Sequence, residues 1–371
     1  MKENVLVVFG GKSVEHDISI ITALQIMRFV GKDKNVIPLY IQRSGEWCVG
    51  DNFDKVDTFV DFEKNAKGKK EAYVKMGKPY LFVKTPLGNK KIKIHTALMC
   101  LHGGAGESGG VAALFEMAGI PFTSSSHTSS AVAMDKIFTK QILSCEEVKN
   151  VPFTYFSKKE FLENKNKVYA KVKGLGFPVI IKPANLGSSV AIEVVKKKEE
   201  IEEAINVALE FDDRVLVEKF LEGAEEYNCA CFEFDKNVKC SKVVKVDKGE
   251  IFSFEEKYLE NSTQKPQKTS KNIENQIKKL TKKIYSILDC AGIVRIDFLV
   301  VEDKIFVNEV NSIPGSLSIN MFGGISKREL IEKLLAMAKE KFEQKKCLTY
   351  HFDSKAIQIF KDELSFAKGR K

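Results

Sequence analysis

No apolar run in this chain approaches the ~18 residues of a membrane-spanning helix, and the run near its start, VLVVF at 5–9, falls short of the ~7–15 residues of a secretory signal core. The eight cysteines, Cys48, Cys100, Cys145, Cys229, Cys231, Cys240, Cys290 and Cys347, form no C-x-x-C pair. Several sit within or beside apolar runs, so buried free thiols in a reducing compartment fit better than disulfides or zinc. No repeat of solenoid length is visible. The formal net charge is +9, yet no lysine block resembles a basic arm. The densest runs, KNAKGKK at 64–70 and VKKKEE at 195–200, read as solvated surface. The expectation is a cytoplasmic protein with neither a nucleic-acid nor a membrane partner.

What is present reads as globular: 44% hydrophobic and 29% charged residues in 371. That length suggests two or three domains. VLVVF followed at once by GGKS and a helical pattern from about Ile18 to Phe29 opens like a doubly wound α/β domain. VIPLYI at 36–41 reads as a second strand, 44–95 as an insertion of strands and loops, TALMCLHG at 96–103 as another buried strand, and VAALFEMAG at 111–119 as a helix with a Gly C-cap. This domain closes near 126. A second unit, 127–220, starts with one amphipathic helix over 130–143. It continues through the strand FPVIIKP, a glycine–serine turn, the strand VAIEVV, a helix from Glu199 to Leu209 and the strand VLVEKFL. A third, 221–345, carries YNCACFEF, VKCSKVVKV, a polar loop near 255–272, a helix over about 273–290, the strands GIVRIDFLV and KIFVNEV, and a helix near 326–342. Residues 346–371 form a tail.

Two stretches carry chemistry. In FPVIIKPANLGSSVAIEVV (177–195) a buried strand ends on Lys182 and a small-residue turn follows. Backbone N–H groups of such a turn cradle phosphate oxygens and the lysine supplies charge. The lysine precedes the glycines, so this is not a Walker A loop, and a plain hairpin is the competing reading. In VRIDFLV and IFVNEVNSIPG, alternation along a strand places Arg295 with Asp297 on one face and Glu309 with Asn311 on another. Two antiparallel strands would bring these four together. Oxygen ligands of this kind suit Mg²⁺ bound to phosphates. A structural ion pair of Arg295 with Asp297 or Glu309 is the alternative.

Together these stretches carry the pattern of the ATP-grasp superfamily, and the chain resembles the D-alanine–D-alanine ligase family within it. The resemblance rests on FGGKSVEHDIS (9–19), LHGGAGESGG (101–110), AMDK (133–136), KPANLGSSV, EKFLEGAEEYN, EEKYLENSTQ and NEVNSIPGS, in order, over about residues 5–340. It implies an α/β (α+β) ATP-grasp fold with an N-terminal Rossmann-like domain, a homodimer, ATP and Mg²⁺ (or Mn²⁺), and ligation of two D-alanines through an acyl-phosphate for peptidoglycan precursors. Carried over residue by residue, Glu15 would bind the amino group of the first D-alanine, with Ser188 and Tyr258 in its hydrogen-bond network. Lys136 and Lys182 would hold the α and β phosphates, and Lys257 the γ-phosphate from a mobile loop at 255–272. Glu218 and the backbone of Lys219 and Leu221 would frame the adenine, with Phe220 packed against it. Glu226, or alternatively Glu225, would take the ribose hydroxyls. Asp297, Glu309 and Asn311 would hold two metal ions. Arg295 and the Gly315 backbone would stabilise the oxyanion. His102 would orient the first substrate, and Ser318 and Asn320 would lie at the substrate pocket.

Bland readings exist for single residues: Glu15 as a helix N-terminal acid, His102 as a buried hydrogen-bonding group, Ser188 as a turn residue, Tyr258 as a packed anchor. The chain departs from the family at Ser108, where Asp is usual, at Ala112 and Ala113 in place of Gln-Gly, and at Asn320 in place of a serine that binds the second substrate's carboxylate. The alternatives are therefore a ligase of this fold joining other amino or hydroxy acids, or a nucleotide-binding regulatory homologue without catalysis.

Overall fold

The computed structural model describes residues 2–246 and 270–368. Lys257 and Tyr258, with nearly all of the 255–272 loop, lie outside the described residues. The chain divides into two compact units, Met1–Lys339 and Glu340–Lys371.

In the larger unit, β1 (Glu3–Gly10) lies at the heart of the first sheet. Val5 to Phe9 are all essentially inaccessible, as a strand covered on both faces requires. It pairs in parallel with β2 (Lys34–Ile41) and β7 (Thr96–Met99). The 44–95 segment extends that sheet outward through antiparallel β3 (Trp47–Val49), β4 (Lys70–Lys75), β5 (Lys78–Thr85) and β6 (Gly88–Lys93), giving the order β6-β5-β4-β3-β2-β1-β7. Gly10 ends β1 at φ +89°, where a Cβ would stand 2.2 Å from the Ile41 carbonyl oxygen. Only glycine lets the chain leave the sheet there. The helix His16–Met27 follows directly. The helix expected at 111–119 runs Gly110–Ala118 and stops at left-handed Gly119.

A second sheet has the order β10-β9-β11-β8, all antiparallel, from β8 (Phe153–Ser157), β9 (Val179–Pro183), β10 (Glu193–Val195) and β11 (Arg214–Lys219). The third is antiparallel β13-β12-β14-β15, from β12 (Glu225–Phe234), β13 (Asn237–Val246), β14 (Val294–Val301) and β15 (Lys304–Asn311). The helix Lys271–Ile287 covers it through Ile273, Ile277 and Ile284.

Two elements differ from expectation. The single helix over 130–143 is two, His127–Met134 and Lys136–Cys145. Asp135 between them is extended (φ −84°, ψ 101°), and its carboxylate accepts from the N–H groups of Ile137 and Phe138, both at 3.0 Å. An aspartate that caps a new helix outcompetes continuation of the old one. The strand VAIEVV shrinks to Glu193–Val195, because Ser188, Ser189 and Ala191 all have positive φ.

The helix Lys327–Lys346 follows the third sheet in sequence but buries Leu330, Ile331, Leu334 and Leu335 in the core of the first. Glu332 accepts from Gly31 N–H and pairs with Lys34, and Lys339 pairs with Glu3, both of the first sheet's region. The smaller unit contains the helix Ala356–Lys368, within the stretch expected only as a tail. Among the described residues no helix is long and apolar enough to cross a membrane.

Candidate active site

The third sheet sets the first cluster. Asp297 on β14 stands opposite Glu309 on β15, and Arg295 opposite Asn311, so the four alternating side chains meet on one face. Arg295 grips Asp297 through two of its nitrogens, Nε to Oδ1 at 2.7 Å and Nη2 to Oδ2 at 2.8 Å. Asn311 Nδ2 adds a bond of 3.1 Å to Oδ2. Arg295 thus pairs with Asp297, while Glu309 is left toward Lys136, whose Nζ lies 3.7 Å away and donates to the Leu186 carbonyl at 2.6 Å. Lys136 thereby ties the start of its helix to the glycine–serine turn.

On the neighbouring β12, Asn228 stands opposite Asp297, and with its amide nitrogen turned inward it donates to Asp297 Oδ1 at 3.1 Å. Alternation puts Glu226 on the face of Asn228 and Asp297. Glu225 shares the other face with Tyr227, a core residue, and is held there by the Tyr227 hydroxyl at 2.7 Å and by Lys245 at 2.6 Å. Of the two glutamates left open for ribose, Glu226 is the one on the site's face.

The second sheet supplies a buried charge cluster. Glu218 on β11 lies between Lys140 and Lys182: Lys140 Nζ is 2.5 Å from Oε1, and Lys182 contacts Oε2. Burial would raise the Glu218 carboxyl, but the two lysines outweigh it and hold it below the usual range. Burial drives the Lys140 ammonium down from its ordinary value, with Glu218 opposing. With both lysines charged, this triad carries one surplus positive charge. Lys140 was not singled out in the sequence; its position one helical turn after Lys136 was the available signal. Of the other residues expected around the adenine, Lys219 donates its side-chain Nζ to the carbonyls of Gly176 (3.0 Å) and Phe177 (2.8 Å). The N–H groups of Lys219 and Phe220 are taken by Pro152 and Pro178, and the Leu221 carbonyl by Ala224.

Glu15 is buried at the start of the helix His16–Met27, yet its side chain makes no capping bond. Its carboxylate instead accepts from the Ser188 hydroxyl of the glycine–serine turn. Two glycines allow this. A Cβ on Gly187 would meet Glu15 Oε2 at 2.6 Å, and one on Gly103 would meet it at 2.7 Å. Loops from two different sheets therefore close on one carboxylate with bare backbone.

His102, also buried, lies with Nε2 2.8 Å from Thr22 Oγ1, which in turn accepts from Ser316 N–H at 3.0 Å. Burial pushes the imidazole down to about 4, so it is neutral at pH 7. Glu107 accepts from Gly103 N–H at 2.8 Å and Ile313 N–H at 3.4 Å. It too was passed over in the sequence, although it lies inside the LHGGAGESGG motif.

After Pro314, Gly315 opens a turn in which Ser316, Leu317 and Ser318 are all left-handed (φ 49°, 47°, 47°). Ser318 is buried. Asn320 is exposed and, with Gln25, Arg28, Phe29, Ser316, Ile319 and Lys327, lines a cleft of about 260 Å³. None of the residues expected to hold ATP or metal lines that cleft.

Family models described as D-ala D-ala ligase N-terminus and D-ala D-ala ligase C-terminus match residues 4–125 and 142–336. The chain is 38% identical over 370 residues to the D-alanine--D-alanine ligase of Thermosipho melanesiensis, covering 96% of this chain and 99% of that one. Among solved structures it resembles the D-alanine–D-alanine ligase of Helicobacter pylori (TM-score 0.77, 26% identity, 90% and 98% of the two chains). It also resembles the D-Ala:D-Ser ligase VanG of Enterococcus faecalis (TM-score 0.78, 28% identity, 91% and 100%). With both models matched in order and a relative of this identity aligned along nearly its whole length, the chain belongs to the D-alanine–D-alanine ligase family.

Proposed function

We propose that this protein joins two molecules of D-alanine, converting ATP to ADP and phosphate, and so supplies D-alanyl-D-alanine for peptidoglycan precursors. The observation that carries this reading is the Arg295–Asp297–Glu309–Asn311 face with Lys136 at its edge, because a lone structural ion pair needs neither the second carboxylate nor the lysine beside it. It acts as a cytoplasmic homodimer. The first two sheets serve the donor substrate (1–126) and the nucleotide (127–220), and the third (221–345) the reacting groups.

A free carboxylate is a poor electrophile, so the first D-alanine's carboxylate attacks the γ-phosphorus of ATP and ADP departs. Its ammonium sits on Glu15, which Ser188 orients, and Tyr258 completes that network. Lys136, Lys182 and Lys257 balance the phosphate charge, and the surplus charge of the Lys140–Glu218–Lys182 triad favours the same anion. The second D-alanine's amine then attacks the acyl carbon, Arg295 and the Gly315 N–H stabilise the oxyanion, and phosphate leaves. The acyl-phosphate would hydrolyse in water, so the site must exclude water while it forms.

Asp297, Glu309 and Asn311 fit Mg²⁺ (or Mn²⁺): all three offer hard oxygen donors. Among the described residues no three or more His, Cys, Asp or Glu side chains form a protein-only cage, which suits an ion that takes its remaining ligands from phosphates. When bound, the metal neutralises charge that builds on the phosphates.

A second reading is an acceptor other than D-alanine, which the likeness to the D-Ala:D-Ser ligase VanG supports at 28% identity. The test is phosphate release from ATP with and without D-alanine, followed by mass analysis of products with D-alanine, D-serine and D-lactate competing. D-Alanine-dependent release with D-alanyl-D-alanine as the main product is expected. Equal release without an amino acid, or none at all, would sink ligation; a mixed product would move the reading to the other acceptor.

A further inference from the structure

The three strands β4 to β6 carry charge that the ligation chemistry does not use. Residues 70–93 hold seven lysines and one acidic residue, Glu71, a net of +6 out of the chain's +9. The connection before them, 51–69, is nearly balanced, with five acidic and four basic residues. Register sorts the strands into two faces. Ala72 stands opposite Val83, and Leu81 opposite both Val74 and Ile92; all five belong to the first core or pack against it. On the other face Tyr73, Phe82 and Lys91 form one row, and Tyr80 stands opposite Lys93.

The rings of this outer face are not open. Tyr73 and Phe82 stack with centroids 5.4 Å apart, and Lys75 Nζ lies 5.0 Å from the Phe82 centroid and 5.7 Å from that of Tyr73. Glu71 pairs with Lys84 at 2.6 Å, so the one carboxylate answers one ammonium. Lys78, Lys91 and Lys93 are exposed. Edge protection explains part of this charge, because β6 ends the sheet and lysines keep a bare edge from pairing. It does not explain Lys75, Lys78 and Lys84, on strands that have neighbours on both sides. The β5–β6 turn adds a second feature. Thr85 pairs with Gly88, which leaves Pro86 and Leu87 as a two-residue turn. Such turns favour Asn, Asp or Gly, yet Leu87 stands fully exposed at the tip.

We propose that the outer face of β4 to β6 docks on a lipid bilayer that contains acidic phospholipids, with its lysines against the headgroup phosphates and Leu87 entering the interface. The excess of ammonium groups complements an anionic surface. A nucleic acid would call for open rings on which bases stack, whereas here Lys75 covers them. A leucine at the end of a basic face suits a bilayer, which takes an apolar tip and cationic flanks together. The face thus departs from the membrane-free expectation drawn from the sequence. The inference is independent of the ligation reading, since none of these residues belongs to the proposed site.

Co-sedimentation of the full chain with vesicles tests it. Wild type should pellet with mixed phosphatidylglycerol–phosphatidylcholine vesicles and stay in solution with phosphatidylcholine alone. Binding should weaken as salt rises past about 0.1 M, where the screening length is ~10 Å. Replacing Lys91 and Lys93 together, Lys91→Gln with Lys93→Gln, should weaken the partition roughly twenty-fivefold, about fivefold for each charge. Leu87→Asn, which suits the turn, should weaken it by at least about threefold. Both sites are exposed, so thermal unfolding should match wild type. Failure of wild type to bind the mixed vesicles at low salt, equal binding to phosphatidylcholine alone, or binding that survives in the lysine variant would each overturn the proposal. A single-stranded oligonucleotide that binds where vesicles do not would assign the face to nucleic acid instead. A change of oligomeric state in the lysine variant, read by light scattering, would assign it to a second copy of the chain. Either result removes the bilayer.

Discussion

The β14–β15 face and the turn that follows it lie a few residues apart and are built on opposite principles. On the strands, Arg295, Asp297, Glu309 and Asn311 are placed by ladder register alone, and the side chains do nothing unusual to meet. In the turn, Ser316 to Ser318 hold a left-handed backbone that costs an L-residue about 1–2 kcal/mol each. That turn is held from outside: Ser316 N–H on Thr22, Ser316 Oγ on Gln25 at 2.5 Å, Leu317 N–H on the Pro314 carbonyl, and Leu317 and Ile319 sunk in the first core. The groups proposed to hold metal and phosphate sit on ladder register, and the segment proposed to flank the acceptor has a shape that other elements dictate.

The strand face breaks most completely at Asp297. Asp297→Asn keeps the volume but removes the charge that Arg295 grips and that a divalent ion needs. The expected loss in kcat is at least about a thousandfold, since phosphoryl transfer depends on charge balance. Circular dichroism should stay near wild type because the β12–β14–β15 ladders are untouched. Near-normal kcat at ordinary Mg²⁺ would remove Asp297 from the site.

A smaller effect is expected one layer back, at the buried triad. Lys140→Met fills the same space and leaves Lys182 and Glu218 as a neutral pair, so the fold survives while the surplus positive charge disappears. KM for ATP should rise roughly tenfold, about 1.4 kcal/mol, with kcat nearly kept. If thermal unfolding shifts strongly while KM for ATP does not move, Lys140 is a structural cation only.

These differences explain what could be read from the sequence. The strands VLVVF, VRIDFLV and IFVNEV announce themselves by apolar alternation or continuity, and the carboxylates follow from period two. The 44–95 segment was legible as strands but not as an extension of the first sheet, since pairing partners leave no local mark. The break at Asp135 was hidden because an aspartate inside an amphipathic pattern reads as surface until its capping bonds are seen. Lys140 and Glu107 were missed for one reason: a charged residue looks solvated in sequence, and only the packed chain shows it buried. The glycine–serine turn at 187–189 was legible as a turn, but the left-handed conformations of Ser188, Ser189 and Ser316 to Ser318 fall on non-glycine residues that carry no local signal for them.

The turn offers the smallest expected effect and the sharpest contrast. By resemblance, Asn320 stands where a serine would meet the second substrate's carboxylate. In the structure Asn320 is exposed and lines a cleft with Gln25, Arg28 and Lys327. Asn320→Ser is then a substitution at an exposed position, a difference of about 0.5 kcal/mol. KM for the acceptor D-alanine should then move by no more than about threefold, with KM for ATP and the donor unchanged. Initial-rate kinetics that separate the two D-alanine constants make the measurement. A tenfold drop in the acceptor KM would mean that Asn320 reaches the substrate after all. The left-handed turn would then have to rotate when ligands bind, giving up its bonds to Thr22 and Gln25. Thr22→Val tests that alternative directly: it removes the oxygen that receives Ser316 N–H, and a turn that must rotate would gain acceptor affinity from the change, whereas a turn that must stay would lose kcat.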